Sequence, residues 1–454
     1  SHASFDAGRV DEEARAIARF LCATSIKTGR GGHTWIGLWG NRELQVYRTA
    51  GMACNLYEGT AGVALFLLAA GRVLEEPEAF ALGARVLRGV AVYDAAHDAG
   101  QVAGQAAGET HRFPQPNGAL GSGTAGRSLA IQLGGALAGW ADAGERAWNA
   151  LHPALRSLEA WGDNAPGRSG RHGWLDFLSG RAGAAFVAAN LSLQGAESGA
   201  AYSRDALALA ARAARPLLHL ATARAGEPLA RAIAGMSHGL SGMALACGAL
   251  AAACHRHGRT AERDAWIAAA LKFTDEERSL YRAEPGEWLD GRAKGAERFT
   301  TAWCHGSAGI ALARLGLVDL LSACGVEPER LAGIKTDLER AVERLIHCGA
   351  DAGDSVCCGN AGRIEALLVA GERLGRPDLM DTARSRMAEV FERAVREGRY
   401  AFSDDMDGAP ERLGFFDGLA GVGYHMLRCL AHRDVPRVLL PVTVRSGDSS
   451  LAPG

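Results

Sequence analysis

The chain has 454 residues, 48% of them hydrophobic and 22% charged, with a formal net charge of −2. That composition suits a globular protein with a large core, and the absence of any basic stripe argues against nucleic acid as a partner. The apolar runs are interrupted by Gly, Arg or His every few residues, which argues against a membrane span.

At the start, Ser1-His2-Ala3-Ser4 reads as a remnant of cloning. The polar segment after it has no signal-peptide pattern. With ten cysteines, this points to a cytoplasmic protein using thiol or metal chemistry rather than a disulfide framework. Residues 10–22 read as a lead-in helix, residues 5–441 as a single domain, and residues 442–454 as a flexible tail.

The single-domain reading rests on an internal repeat. A Gly-x-x-Gly unit recurs seven times, with its second glycine at Gly62, Gly126, Gly183, Gly242, Gly309, Gly362 and Gly421. Each unit opens an Ala/Leu-rich run such as Val63 to Ala70, apolar on all sides as a buried helix is. A second, amphipathic run follows, as in Ala79–Arg88 or Leu338–Ile346. Seven inner helices ringed by seven outer ones make an all-α fold, an α/α toroid of helical hairpins. The first glycine of each unit is expected to take positive φ in a tight turn, the second to allow close helix packing. Seven helix N-termini at one mouth would favour thiolates and other anions there. Three connections read as long loops that either rim a site or are disordered: His97–Asn117, Gly162–Gly173 and Ala283–Thr300.

Cys304 opens the fifth unit, and Cys357-Cys358 open the sixth at the same place in the motif. The repeat register therefore sets three thiols side by side at the mouth. Three thiolates and one open position are the ligand count of a catalytic zinc site. The alternative, that they are small buried hydrophobes, stays open at this point. Cys247, Cys254 and Cys429 fall in helical apolar runs and read as core. His238 occupies the corresponding turn of the fourth unit and is a candidate proton donor, or else a capping or core histidine. His305 follows Cys304 and reads as a substrate contact more than a fourth ligand. Asp176 is a carboxylate among apolar neighbours. Glu58 and Asp417 precede the first glycines of units one and seven, which meet where the ring closes. They suit helix caps, or the carboxylate pair of a glycosidase.

With these motifs the chain resembles the lanthionine synthetase C-like cyclases. The likeness runs from Thr34-Trp35-Ile36-Gly37-Leu38 to Tyr424 and rests on the seven glycine units, Trp303-Cys304-His305-Gly306 and Cys357-Cys358-Gly359. The stretch Leu56 to Phe66 is most similar to the C-terminal cyclase domain of class II, bifunctional lanthipeptide synthetases. The resemblance implies one Zn2+ per chain held by Cys304, Cys357 and Cys358, with Cys358 where most relatives carry histidine. It implies catalytic roles for His238 and Asp176 and substrate contacts from Trp303 and His305. It also implies a dehydrated precursor peptide as substrate and an N-terminal dehydratase domain of the same polypeptide as partner. Some relatives have arginine three residues before the tryptophan; here that residue is Thr300, with Arg298 nearby.

The reaction so implied is addition of a peptide cysteine to dehydroalanine or dehydrobutyrine, closing a lanthionine or methyllanthionine ring. A third protein thiolate in place of histidine makes the site more electron-rich and predicts a faster, less selective cyclase. Three rivals remain at the sequence level. They are a zinc enzyme that adds a small thiol such as glutathione to dehydroamino acids, a non-catalytic peptide-binding toroid, and a glycosidase using Glu58 and Asp417.

Overall fold

A computed structural model describes residues 4–29, 32–41, 46–104, 118–160, 175–222, 233–292, 297–402 and 411–442. The described chain is helical, with three short hairpins. In order it runs α1 (Ala7–Ala23), the strand pair β1 (Ile26–Lys27) and β2 (His33–Thr34), and the pair β3 (Ile36–Asn41) and β4 (Val46–Gly51). Then come α2 (Thr60–Val73), α3 (Pro77–Gly104), α4 (Thr124–Leu137), α5 (Ala143–Ala160), α6 (Arg181–Ser198), α7 (Ser203–Ala213) and α8 (Arg215–Thr222). α9 (Leu240–Arg256) and α10 (Thr260–Arg278) precede the pair β5 (Tyr281–Arg282) and β6 (Glu287–Trp288). The chain ends with α11 (Ser307–Ala323), α12 (Ala332–His347), α13 (Asn360–Leu374), α14 (Pro377–Glu397) and α15 (Leu419–Ala431).

The seven glycine units start α2, α4, α6, α9, α11, α13 and α15. These pack side by side in that order, and α15 closes against α2. They form the inner layer expected from their all-round apolar sequences. In α2, every residue from Thr60 to Ala70 is buried. Leu65, Phe66, Leu67 and Leu68 are wholly buried, each stabilising the fold by about 1.5–3 kcal/mol. The outer layer is α3, α5, α7, α10, α12 and α14, each packed on the inner helix before it, and of these α5, α7, α12 and α14 are amphipathic.

The seventh outer position is filled from the other end of the chain. No helix follows α15 among the described residues. α1 packs on α15, and Glu13 accepts a hydrogen bond from the Tyr400 hydroxyl at 2.8 Å. The lead-in helix thus completes the ring, where seven consecutive hairpins were expected.

Other expectations also need revision. α3 continues to Gly104, so the loop expected from His97 starts later; its remainder, the segment 162–173, Trp174 and the tail from 443 lie outside the described residues. The first glycines do not take positive φ. Gly59, Gly123, Gly180, Gly239, Gly306, Gly359 and Gly418 all have extended conformations, with φ between −106° and −156°. What a side chain lacks there is space: a Cβ at Gly306 would lie 1.5 Å from the Thr300 carbonyl oxygen. The second glycines do permit close packing as expected. A Cβ at Gly309 would sit 2.0 Å from the Trp303 carbonyl oxygen and 2.9 Å from Met236 Cβ of the neighbouring unit.

The mouth is defined by backbone. The residue three before each helix start donates its N–H to the carbonyl of its counterpart in the next unit. The series runs Tyr57 to Gly121, Gly121 to Leu178, Leu178 to Ser237, Ser237 to Cys304, Cys304 to Cys357, Cys357 to Phe416, and Phe416 back to Tyr57. These seven bonds of 2.8–3.2 Å close a circle. The circle holds all seven helix starts at one end of the toroid, and two of the candidate ligands are members of it.

Candidate metal centre

Because Cys304 and Cys357 are adjacent members of that circle, their side chains start from bonded neighbours. The Cys304 N–H donates to the Cys357 carbonyl at 3.1 Å. Cys358 is the next residue, and its Sγ lies 3.4 Å from that of Cys304. The three sulfurs lie within 4.8 Å of one another, and theirs is the one group of metal-binding geometry among the described residues. A tetrahedral ion with metal–sulfur bonds of about 2.3 Å sets its ligands roughly 3.8 Å apart, so the cluster fits a single zinc-sized ion. All three cysteines are free; Cys304 and Cys357 are buried and Cys358 is exposed. The open side of the site is therefore the side of Cys358.

The electrostatics of the thiols agree with that fit. Hydrogen bonds from Cys304 and Cys357 pull the Cys358 thiol down to about 3, with help from the charges of His305 and Arg292. Cys304 is pushed well above the usual thiol range by Cys357, Cys358 and burial. For Cys357 the hydrogen bond to Cys304 favours ionisation, but contact with Cys358 and burial outweigh it and the thiol is raised. A bound divalent cation would let all three ionise. Cys247, Cys254 and Cys429 are buried in the core as expected.

His238 stands before the first glycine of unit four, one unit from Cys304. Its Nδ1 is 2.7 Å from Oδ2 of Asp176, whose side chain is 1% exposed while that of His238 is 37% exposed. Asp176 Oδ1 accepts the Ser179 N–H at 2.5 Å. Burial raises the Asp176 carboxyl, and the bond to His238 works against that rise. Asp176 thereby holds Nδ1, which leaves Nε2 for other partners.

The turn that carries His238 is itself held from below. Glu277, fully buried, accepts the N–H groups of Gly235 (2.8 Å) and Ser241 (3.1 Å), and Arg314 bonds Glu277 at 2.8 Å. Gly235 has φ +102°, and a Cβ there would lie 2.4 Å from the Cα of His305. This glycine is required both by conformation and by the approach of the next unit.

His305 is 2% exposed, and its ring centroid lies 5.5 Å from that of His238. Its Nδ1 is buried without a hydrogen-bond partner among the described residues. Burial, then the charges of Arg292 and His238, lower it to about 4. Trp303 is 1% exposed and packs against Phe416 at 5.1 Å, which in turn stacks on Tyr57 at 5.1 Å. These rings make the floor beneath the thiols.

On the far arc, Glu58 and Asp417 adjoin as the ring closure requires. The charge of Glu58, after burial, raises the Asp417 carboxyl to about 7. Arg412 reaches Asp417 at 3.4 Å.

Sequence reasoning missed Tyr57, whose phenol is pushed well above its ordinary range by burial and by the neighbouring Cys357. The repeat register could have found it, since Tyr57 holds the place in unit one that Cys304 and Cys357 hold in theirs. It also missed Asp290 and Arg292. These lie beyond any motif, on the segment after β6, where Arg292 is paired to Asp290 at 2.7 Å. Arg298, near the place where some relatives have arginine, is exposed.

The family model described as lanthionine synthetase C-like protein matches residues 51–440. No curated protein matches the chain. The chain belongs to the lanthionine synthetase C-like family, whose α/α toroid is the fold observed.

Proposed function

We propose that this chain is the cyclase domain of a bifunctional lanthipeptide synthetase. It would add a cysteine thiol of a ribosomal precursor peptide to a dehydroalanine or dehydrobutyrine of the same peptide. The observation that carries this reading is the meeting of three thiols and the His238–Asp176 pair on one arc of the mouth. Membership of the family supports it. Dehydrated residues would come from an N-terminal dehydratase domain of the same polypeptide.

The proposed cofactor is one Zn2+ per chain, held by Cys304, Cys357 and Cys358; when bound it would lower the pKa of the substrate thiol, so that thiolate is present at neutral pH. The chain's own residues supply the rest. Exposure at Cys358 admits the peptide from the mouth. Tyr57, stacked on Phe416, stands beside Cys357. As the new sulfur–Cβ bond forms, the Cα=Cβ π pair shifts onto the carbonyl of the dehydro residue as an enolate. His238, carrying at Nε2 the proton that the substrate thiol gives up, then passes it to Cα and restores the carbonyl. Asp176 fixes the ring through Nδ1. His305 lines the site beside His238 as the proposed substrate contact, and Trp303 supports the floor.

The addition leaves mass unchanged, so the test follows thiols. The zinc-loaded chain is incubated with a synthetic peptide carrying one cysteine and one dehydroalanine. The reading predicts that the peptide loses its alkylatable thiol at constant mass. A thiol that stays alkylatable, or capture of added glutathione with the peptide cysteine left free, would contradict it.

A further inference from the structure

Arg292 belongs to no motif, yet its surroundings are built. Leu289 pairs antiparallel with Phe299, and the Asp290 N–H donates to the Arg298 carbonyl at 2.8 Å. The two arms of this segment are zipped together, and the second runs on through Thr301 to Trp303 and Cys304. The backbone thus refers the position of Arg292 to the thiol cluster over a short path. Asp290 is 1% exposed. It takes the guanidinium at two points, Nε to Oδ1 at 2.9 Å and Nη2 to Oδ2 at 2.7 Å, and accepts the Arg292 N–H as well at 3.1 Å. A buried carboxylate that grips both prongs fixes the plane of the fork. The arginine side chain itself remains 44% exposed, and Nη1 has no partner among the described residues. Its charge acts on Cys304, Cys358 and His305. A pre-oriented, half-exposed cation therefore stands within electrostatic reach of the thiol cluster.

Charge moves during the proposed addition. It starts on sulfur and ends on the carbonyl oxygen of the acceptor residue, which is neutral before the sulfur–carbon bond forms. A donor fixed beforehand near that oxygen is worth most in the transition state, because nothing must reorganise as the charge arrives. Resting on the cyclase reading, we propose that Arg292 is a catalytic residue that donates a hydrogen bond to the acceptor's developing enolate oxygen, and that Asp290 is the residue that positions it. The sulfur–Cβ bond forms, the π pair moves to the oxygen, and a proton delivered to Cα returns the pair. Arginine stays protonated throughout and gives up nothing.

The test uses the full chain, the cysteine–dehydroalanine peptide and zinc, with Arg292→Gln, Arg292→Lys and Asp290→Asn. Zinc stoichiometry and affinity are measured by competition with a chelating dye, alongside kcat and KM. The expected result is zinc affinity and KM within about threefold of the starting protein in every variant, with kcat about 100-fold lower in Arg292→Gln. Arg292→Lys recovers part of that loss and Asp290→Asn falls between. Arg292→Gln with kcat within threefold overturns the proposal, as does a loss of rate that follows loss of zinc. A starting protein that consumes no peptide thiol would defeat the cyclase reading, and this proposal with it; an unaffected Arg292→Gln in an active enzyme would defeat this proposal alone.

Discussion

The arc of the mouth made by units four to six and the arc made by units seven and one share one backbone and differ in side chains. In the first, the residues ahead of the first glycine are His238, His305 and Cys358; in the second they are Asp417 and Glu58. The same circle of hydrogen bonds runs beneath both. The toroid thus supplies seven equivalent places, and residue type alone decides which places do chemistry. On one arc, three thiols cluster and the rings of His238 and His305 lie side by side. On the other, burial and then the charge of Glu58 raise the Asp417 carboxyl, and Arg412 works against that rise.

That contrast can be broken by substitution. The largest effect is expected at Cys304: Cys304→Ala should lower thioether formation by roughly 10³-fold and lose zinc, whereas Asp417→Asn should leave both within a few-fold. Equal losses at the two positions, in thiol-consumption and metal assays, would erase the distinction between the arcs.

Asp176→Asn removes the charge behind His238 while leaving the thiols in place. It should lower kcat about 100-fold with zinc retained. Metal loss on this substitution would instead make Asp176 part of the metal centre.

The shared backbone is tested by glycine. Gly306→Ala and Gly418→Ala, one on each arc, both push a Cβ into a carbonyl oxygen, at 1.5 and 2.3 Å. Each should cost about 3 kcal/mol or more in urea unfolding. Gly139→Ala, at φ +75° with open space around it, should cost only about 1 kcal/mol. A tolerant Gly418 beside an intolerant Gly306 would mean the two arcs are not built alike.

The smallest effect is a pH dependence. Asp417 titrates at about 7 in the fold and near 3.9 when unfolded. Because the folded value is the higher one, the stability it contributes is full below about pH 4 and is lost as pH rises through 7. Asp417→Asn should match the starting protein near pH 4 and become the more stable of the two as pH rises through 7. A pH-independent difference in unfolding midpoint would contradict the assigned shift.

Much of this was legible in the sequence because a repeat converts position into geometry. Seven glycine units told where the inner helices start, and register alone set Cys304 beside Cys357 and Cys358. What register does not carry was missed or misread. α1 looks like any amphipathic helix, and nothing in residues 7–23 says that it fills the gap beside α15. The first glycines were expected to answer to backbone conformation, but they answer to carbonyl oxygens brought close by the turn, a tertiary fact. Arg292 owes its place to Asp290 and to the pairing of Leu289 with Phe299, and neither follows from local pattern.

The central claim, that three cysteines from two successive helix starts hold one metal ion, meets its most direct test in metal stoichiometry. Zinc is measured on the full chain and on Cys304→Ala, Cys357→Ala and Cys358→Ala singly, with folding checked by circular dichroism. The account predicts one zinc per chain, with stoichiometric zinc lost in each variant while the helical signal persists. A full chain that binds no zinc, or a Cys358→Ala variant that holds it as tightly as the parent, would contradict it.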